Sequence, residues 1–178
     1  MVSSSVSSTI TSRNSDDLAA AVRQACGDRV PLIDYGLAHA NLGHAPSAEH
    51  TRLSQAVDPS NKGILEHYMR DLTVRAAAGI TIAALQAALK PTNQFVPLDA
   101  DDDITLGEVI HHNMYGPLRA GYGSIRDLLL GLHYIDGDGR DIHVGGRTVK
   151  NVAGYDISRF LVGSLGELGI VHEATLRT

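Results

Sequence analysis

Most of the 18 glycines in this chain lie in its second half, where they separate short apolar segments. Two such segments, residues 128–135 and 141–144, are joined by Asp136-Gly-Asp-Gly139, whose residue types favour a tight β-hairpin turn. A third segment, residues 170–176, alternates apolar and polar residues as a half-buried strand does. The second half is therefore predicted to contain short strands connected by tight turns.

Helices are predicted where a capping residue precedes apolar residues at helical spacing. Ser15 begins one such segment, and Gly27 ends it. Thr81 begins another, which stops before Pro91. The capping box Thr105-Leu-Gly-Glu108 opens a short helix to about His112, and Asp156 caps the last one. With further strands predicted at residues 29–33, 63–69 and 72–77, the order of elements predicts an α+β fold with helices on one side of each sheet.

We divide the 178 residues into a disordered tail at 1–13, an N-terminal lobe at 14–97 and a C-terminal lobe at 98–178. The tail is rich in Ser and Thr and lacks the features of a secretory signal. Residues 34–59 are expected to form an irregular loop that is either functional or mobile. The acidic run at 99–103 is expected to be a solvated surface turn.

Charge and cysteine content exclude several classes of function. The net charge of −5 gives no field that would attract nucleic acid, and no apolar run is long enough to span a membrane. The single Cys26 excludes an internal disulfide and favours a reducing, cytoplasmic location, with the thiol in the core. His111 and His112 are expected at the surface or in loop packing. No residue pattern predicts a metal site, a nucleophile or any other catalytic group.

Three glycine-bearing loops are the best functional lead: Gly107 with its neighbours, residues 116–124 and residues 163–169. Glycine allows backbone N–H groups to approach an anion closely, but it is equally common in ordinary turns. None of the loops matches the dinucleotide-binding fingerprint or the P-loop, so a nicotinamide-type Rossmann domain and a nucleoside triphosphatase are not predicted.

Four strings occur in order: Thr105-Leu-Gly-Glu-Val-Ile-His-His-Asn113, the run from Tyr115 to Gly131, Gly145-Gly-Arg-Thr-Val-Lys-Asn-Val-Ala-Gly-Tyr-Asp156, and Gly163-Ser-Leu-Gly-Glu-Leu-Gly-Ile170. Together they resemble the FAD-binding domain of the vanillyl-alcohol oxidase/p-cresol methylhydroxylase (PCMH) flavoproteins. The resemblance is strongest to the branch that contains the FAD-binding subunit of bacterial glycolate oxidase. It is clear from about residue 70 onward and covers the first lobe only in outline.

This resemblance implies a two-lobed PCMH-type domain without the family's C-terminal substrate domain, and non-covalently bound FAD. It places the backbone amides of Thr105, Leu106 and Gly107 near the flavin diphosphate, and Gly166 through Ile170 beside the adenine. The remaining residues implied to bind the cofactor are Asn113, Gly116, Tyr122, Gly123, Ser124, Asp127, Lys150, Asn151 and Gly154.

The chain departs from the family pattern at two places. Where the family has its first glycine-rich phosphate loop, this chain reads Asp34-Tyr-Gly-Leu-Ala38. Glu108 occupies a glycine position, and its carboxylate would oppose the diphosphate unless it folds back to cap Thr105. Both departures bear on the same ligand and leave two hypotheses open.

The first hypothesis is an FAD-binding module of a glycolate or other 2-hydroxy-acid oxidoreductase, not catalytic alone. It would act with other subunits of a complex or as a homo-oligomer. The alternative is a flavin-free relative of the same fold that serves as an interaction or assembly subunit.

Overall fold

The computed structural model describes residues 9–12, 15–28, 32–34, 51–55, 63–146 and 156–178, which form two sheets and six α-helices. A parallel sheet of order β1-β3-β2 is accompanied by helix α1. An antiparallel sheet of order β4-β5-β8-β6-β7 carries the other helices. The strands are β1 (Thr9–Ser12), β2 (Leu32–Asp34), β3 (Thr51–Gln55), β4 (Ile64–Tyr68), β5 (Thr73–Ala77), β6 (Leu129–Ile135), β7 (Asp141–Gly145) and β8 (Ile170–Arg177). The helices are α1 (Ser15–Asp28), α2 (Ile82–Leu89), α3 (Leu106–His112), α4 (Arg119–Tyr122), α5 (Ile125–Leu128) and α6 (Ile157–Leu161).

The predicted α+β class is confirmed, and the local turn signals worked as expected. In the hairpin between β6 and β7, the Asp136 carboxylate accepts hydrogen bonds from the backbone N–H groups of Asp138 and Arg140, both at 2.9 Å. This side chain closes the turn in the way that aspartate commonly does. Thr81 caps α2 and Asp156 caps α6, also as predicted.

The parallel sheet corrects two sequence predictions. Thr9–Ser12 is strand β1, so the prediction of a disordered tail is wrong for these residues. Thr51–Gln55 is strand β3, so the segment at 34–59 is not irregular throughout. β3 pairs with both β1 and β2, with Ile10 opposite Leu53 and Ile33 opposite Arg52. The sheet thus depends on pairing between residues about 40 positions apart, which local sequence patterns do not report.

The predicted lobe boundary at residue 97 does not coincide with the division between the two sheets. Strands β4 and β5 precede it, yet β5 pairs along its whole length with β8, the last strand of the chain. Helices α2 and α3 lie on either side of the boundary and contribute Leu85, Leu89 and Ile110 to the same hydrophobic core. These side chains pack on one face of the antiparallel sheet, where they bury Val74, Leu132 and Leu176, among others.

Helix α1, which lies beside the three-stranded parallel sheet, packs against one end of the antiparallel sheet. Its apolar residues Leu18 and Val22 form a second cluster with Ile135 of β6 and Ile170 of β8. Arg23 donates a 2.6 Å hydrogen bond to the backbone carbonyl of Gly139 in the hairpin turn. The predicted apolar face of this helix is confirmed, and it fixes the position of α1 relative to β6, β7 and β8.

Candidate functional site

The start of helix α3 is shaped by a complete capping box. The Thr105 hydroxyl accepts from the Glu108 backbone N–H at 3.3 Å, and Glu108 Oε2 accepts from both the backbone N–H and the hydroxyl of Thr105 at 2.7 Å. The Glu108 carboxylate is therefore folded back onto Thr105. The sequence left open whether this carboxylate opposes a bound diphosphate or caps Thr105. In the structure it caps Thr105.

The backbone amides at this position have partners within the protein. Leu106 N–H donates to the Ile80 carbonyl at 2.9 Å, and Gly107 N–H donates to the Ala78 carbonyl at 2.8 Å. Because Thr105 N–H is also bonded, all three donors are used, and they hold α3 against the segment that follows β5. That these amides lie near the flavin diphosphate stays a prediction from the resemblance.

We expect that Glu108→Gly lowers the free energy of unfolding by about 2 kcal/mol, because it removes the capping carboxylate and places glycine in a helix. Urea unfolding measures this loss. Glu108→Gln is the matched control, since glutamine can keep the reciprocal hydrogen bond to Thr105, and its loss should be less than half as large. Equal losses of unfolding free energy in Glu108→Gly and Glu108→Gln would show that the side-chain hydrogen bond to Thr105 contributes little.

The loop that follows α3 is held by Asp99. Leu118 N–H donates to Asp99 Oδ2 at 2.7 Å, and a Cβ atom added to Gly116 would lie 2.5 Å from the Asp99 Cβ. Asp99 is half-buried, so the prediction that the acidic run is a solvated turn is wrong for this residue. Gly116 is needed here because the loop packs directly on Asp99, and sequence analysis did not identify that contact.

The glycine-bearing loop at 116–124 contains one turn of helix and leads into another. Arg119–Tyr122 forms α4 within it, and α5 begins directly after it at Ile125. Gly123 then has a φ of +89°, and Ser124 and Asp127 form a second capping box in which Asp127 Oδ2 accepts from the Ser124 N–H and hydroxyl. The hydrogen bond from the Ser124 hydroxyl lowers the pKa of Asp127.

Aromatic side chains stand on the surface of the same region. Tyr122 is about half exposed and lies edge-on to Phe95, with 5.6 Å between the ring centroids. The Arg119 guanidinium lies 4.7 Å from the centre of the Tyr115 ring. The predicted cofactor residue Tyr122 thus packs against Phe95, which lies outside the loop, while Arg119 and Tyr115 contact each other within it.

The turn at residues 163–169 runs beside the end of α3. Gly163 N–H donates to the Ile110 carbonyl at 2.9 Å, and Leu165 N–H donates to the His111 carbonyl at 3.0 Å. Asn113 adopts the left-handed conformation at the end of the helix, with φ 50°. A Cβ atom added to Gly163 would lie 3.4 Å from the Asn113 Cβ. Two of the segments named by the resemblance are therefore in direct contact.

Three buried polar atoms in these two segments have no hydrogen-bond partner among the described residues: Asn113 Oδ1, Ser164 Oγ and His111 Nδ1. Each buried polar group left unpaired costs about 1–3 kcal/mol, so such atoms indicate a place where a ligand or ordered water completes the bonding. Ser164 and His111 were not identified from the sequence as site residues. The signal that distinguishes them is burial without a partner, which only the fold reveals.

His111 is also chemically distinct. Its side chain is buried, and Nε2 accepts a 3.4 Å hydrogen bond from the Val171 backbone N–H. Burial, with a smaller contribution from His112, lowers its pKa to about 4. The imidazole ring is thus neutral at pH 7. The sequence left open whether His111 lies at the surface or packs inside, and the structure shows that it is packed inside.

The other predicted cofactor residues are placed as follows. Gly166 has a φ of +78° in the turn before β8, and Ile170 is the buried first residue of that strand. Lys150, Asn151 and Gly154 lie outside the described residues, as do 35–38 of the first-loop region and the Cys26 side chain. Within the described ranges, no three His, Cys, Asp or Glu side chains are grouped so that they could hold a metal ion. None of the helices in the described part of the chain combines the length and apolar composition needed to cross a bilayer.

Comparison with protein families places these segments in context. Residues 7–155 match the family described as the FAD binding domain. The chain belongs to this family. The match confirms the resemblance seen in the sequence and covers most of both lobes.

Individual relatives agree with this assignment. The chain is 34% identical over 161 residues to glycolate oxidase subunit GlcE of Escherichia coli, and 32% identical over 170 residues to glycolate oxidase subunit GlcD of Bacillus subtilis. These alignments cover 88% and 94% of this chain, but only 44% and 36% of the relatives. A D-lactate dehydrogenase of Archaeoglobus fulgidus is 36% identical over 137 residues, which cover 71% of this chain and 31% of that protein. The chain therefore spans less than half of the length of these relatives.

Solved structures support the fold. Alkyldihydroxyacetonephosphate synthase superposes with a TM-score of 0.77 over 95% of this chain and 31% of its own, at 22% sequence identity. The two sheets and their connections are thus an arrangement that also occurs in a distant protein. At this identity the similarity concerns the fold alone.

Proposed function

We propose that this chain is the FAD-binding module of a 2-hydroxy-acid oxidoreductase of the glycolate oxidase type. The observation that carries the proposal is the contact between the segment at 110–113, which lies within the match to the FAD binding domain family, and the turn at 163–165. Both segments hold unpaired buried polar atoms. Named relatives are glycolate oxidase subunits and a D-lactate dehydrogenase, which supports a hydroxy acid as the substrate class.

The described residues fit a flavin nucleotide at one part of the site and not at another. Asn113 Oδ1 can accept a hydrogen bond from a polar ligand, and Ser164 Oγ can accept or donate one; nothing in the described chain satisfies either atom. By contrast, the amides of Leu106 and Gly107 are already bonded to backbone carbonyls. Non-covalent FAD would therefore be held by side chains at 113 and 164 and by the turns around them, together with Lys150 and Asn151.

The chemistry that FAD supplies when bound is acceptance of a hydride equivalent from the substrate. This chain would bind and orient the cofactor through Asn113, Ser164 and the glycine turns. We assign no catalytic role to the described residues, and we propose that other subunits, or a second copy of this chain, contribute the groups that bind the hydroxy acid. The relatives named as glycolate oxidase subunits favour a complex of different subunits.

FAD titration of the purified protein tests the proposal through flavin absorbance and fluorescence. We expect saturable binding with a Kd in the micromolar range, equivalent to about −8 kcal/mol. Ser164→Ala should weaken binding about tenfold and leave the unliganded protein equally stable or more stable, because the unpaired hydroxyl is removed. The matched control is Ser158→Ala, a buried serine whose hydroxyl already donates to Asp156 at 3.1 Å, and it should leave FAD affinity unchanged.

A second candidate is a flavin-free relative that acts as an interaction subunit. The observation in its favour is that the three amides at 105–107 are bonded inside the protein. Absence of FAD binding by the wild-type protein would support this candidate and contradict the first. Glu108→Gln separates a charge effect from a lost site: because the carboxylate is folded onto Thr105, we expect FAD affinity to change by less than about twofold.

A further inference from the structure

The face of the antiparallel sheet opposite the hydrophobic core carries a connected group of charged and titratable side chains. His133 of β6 and His143 of β7 are directly paired in the sheet, and their rings stack with 3.7 Å between centroids and an interplanar angle of 6°. His133 Nδ1 lies 3.0 Å from Glu173 Oε2 on β8. The two imidazoles are thus in contact across the pair formed by β6 and edge strand β7.

Carboxylates on both sides hold this stack in place. His143 Nε2 lies 3.3 Å from Asp141 Oδ1, and His172 Nε2 of β8 lies 3.0 Å from the same oxygen. Burial alone would raise the pKa of Asp141, but the hydrogen bond and charge of His172, the hydrogen bond from Ser15 and the charge of His143 together outweigh it and lower the pKa below its usual value. Because a carboxylate only accepts hydrogen bonds, His143 and His172 present their Nε2–H groups to it.

The surrounding charges set how many protons the group accepts. Glu173 faces His133 from β8, while Arg75 of β5 lies between Glu173, at 3.7 Å, and Glu66 of β4, at 3.4 Å. When both imidazoles are neutral, the negative charges of Glu66, Glu173 and Asp141 outnumber the positive charge of Arg75. The stack therefore tolerates a first proton. A second one places two positive charges face to face at stacking distance. Burial lowers the pKa of His133, Glu173 raises it, and His143 lowers it further.

We propose that the stacked His133–His143 pair is an acid-sensitive latch that holds edge strand β7 against β6 and releases it when both rings are protonated. β7 is the strand to release, because it is paired on one side only and its side chains are largely exposed. β6, in contrast, is paired on both sides.

The chain continues from β7 into a segment with two residues that we propose bind the cofactor. Residues 147–155 come directly after Gly146 and contain Lys150 and Asn151. Coupling of pH to cofactor binding through this segment rests on the proposed function. The latch itself does not, and it can be tested on the protein without any flavin.

Amide hydrogen exchange, corrected for the intrinsic effect of pH, tests the latch at about pH 7.5 and about pH 5, the range in which histidine changes its charge. We expect the protection factors of the β7 amides to fall at least about tenfold at the lower pH. A tenfold change is what one pKa unit of difference between the paired and released states of the stack would produce. In His111→Gln, which removes the acid-dependent loss of global stability caused by the burial of His111, the amides of β8, a central strand, should retain their protection. His133→Gln and His143→Gln should each abolish the acid response of β7, because one charged ring has no stacked partner to repel.

His67→Gln is the matched control, since His67 lies on β4 at the other edge of the sheet and its ring is paired with Gln94. This variant should keep the full acid response of β7. Constant protection of β7 in the wild-type protein would overturn the proposal. A fall in β7 protection in His133→Gln or His143→Gln as large as that in the wild-type protein would also overturn it. A simultaneous and equal loss in β7 and β8 of the His111→Gln protein would identify global unfolding and would also reject a local latch. FAD affinity, measured separately, reports on the proposed function and not on the latch.

Discussion

Acidification from pH 6.5 to about pH 4 is expected to remove about 3 kcal/mol of the free energy of unfolding through His111 alone. Its pKa is about 4 in the folded protein, against 6.5 for an unperturbed histidine. Between these values the unfolded chain binds a proton that the folded chain does not. Stability is therefore highest above pH 6.5 and falls as the pH decreases through this window.

The cause is burial at a specific contact. Nε2 of His111 accepts from the Val171 backbone N–H, so protonation of this nitrogen would break a bond between α3 and β8. Burial also lowers the pKa of His112, while Glu108 raises it, so a smaller contribution of the same sign comes from its neighbour. Urea unfolding at several pH values measures the slope directly.

His111→Gln should remove most of this slope, because glutamine can offer an acceptor to Val171 and does not titrate. Ile110→Ala is the matched control: Ile110 is fully buried on the same helix, and its truncation should cost about 2–5 kcal/mol at every pH without changing the slope. If His111→Gln kept the wild-type slope between pH 6.5 and 4, the acid sensitivity would have to reside elsewhere.

The antiparallel sheet and its helices were predictable because their signals are local. The capping box at Thr105, the cap at Thr81 and the turn at Asp136 each act within a few residues, and all three form as predicted. The parallel strands β1 and β3 gave no comparable signal. Their sequences, TITS and TRLSQ, are largely polar, and they are strands because they pair with each other across more than 40 residues.

The candidate site was predictable in its segments but not in its bonding. The motifs pointed to the segments around Asn113, Gly123 and Gly166, of which the first two lie within the match to the FAD binding domain family. The occupation of the Leu106 and Gly107 amides was not foreseeable, since their partners Ile80 and Ala78 come from the segment that follows β5. The unpaired hydroxyl of Ser164 was equally hidden, because only the packed structure shows that nothing in the described chain reaches it.

Gly145→Ala is expected to lower the free energy of unfolding by about 3 kcal/mol, the largest effect we predict for a single methyl group. Gly145 ends β7 with a φ of +75°, in the left-handed region that disfavours alanine. A Cβ atom there would overlap the backbone carbonyl oxygen of Leu130 and lie 2.7 Å from the Gly131 Cα. Because these are backbone atoms of the paired strand β6, no side-chain rotation relieves the overlap.

The adjacent glycine provides a matched control for this substitution. A Cβ atom added to Gly146 meets no atom of the described residues within 4 Å, so Gly146→Ala should change stability by less than about 0.5 kcal/mol. Equal unfolding midpoints for the two variants would show that β6 and β7 do not approach as closely as described. A large loss at 145 alone would instead show that glycine is required for this close approach. Position 145 would then direct the chain from the sheet into the segment of Lys150 and Asn151, which we propose binds the cofactor.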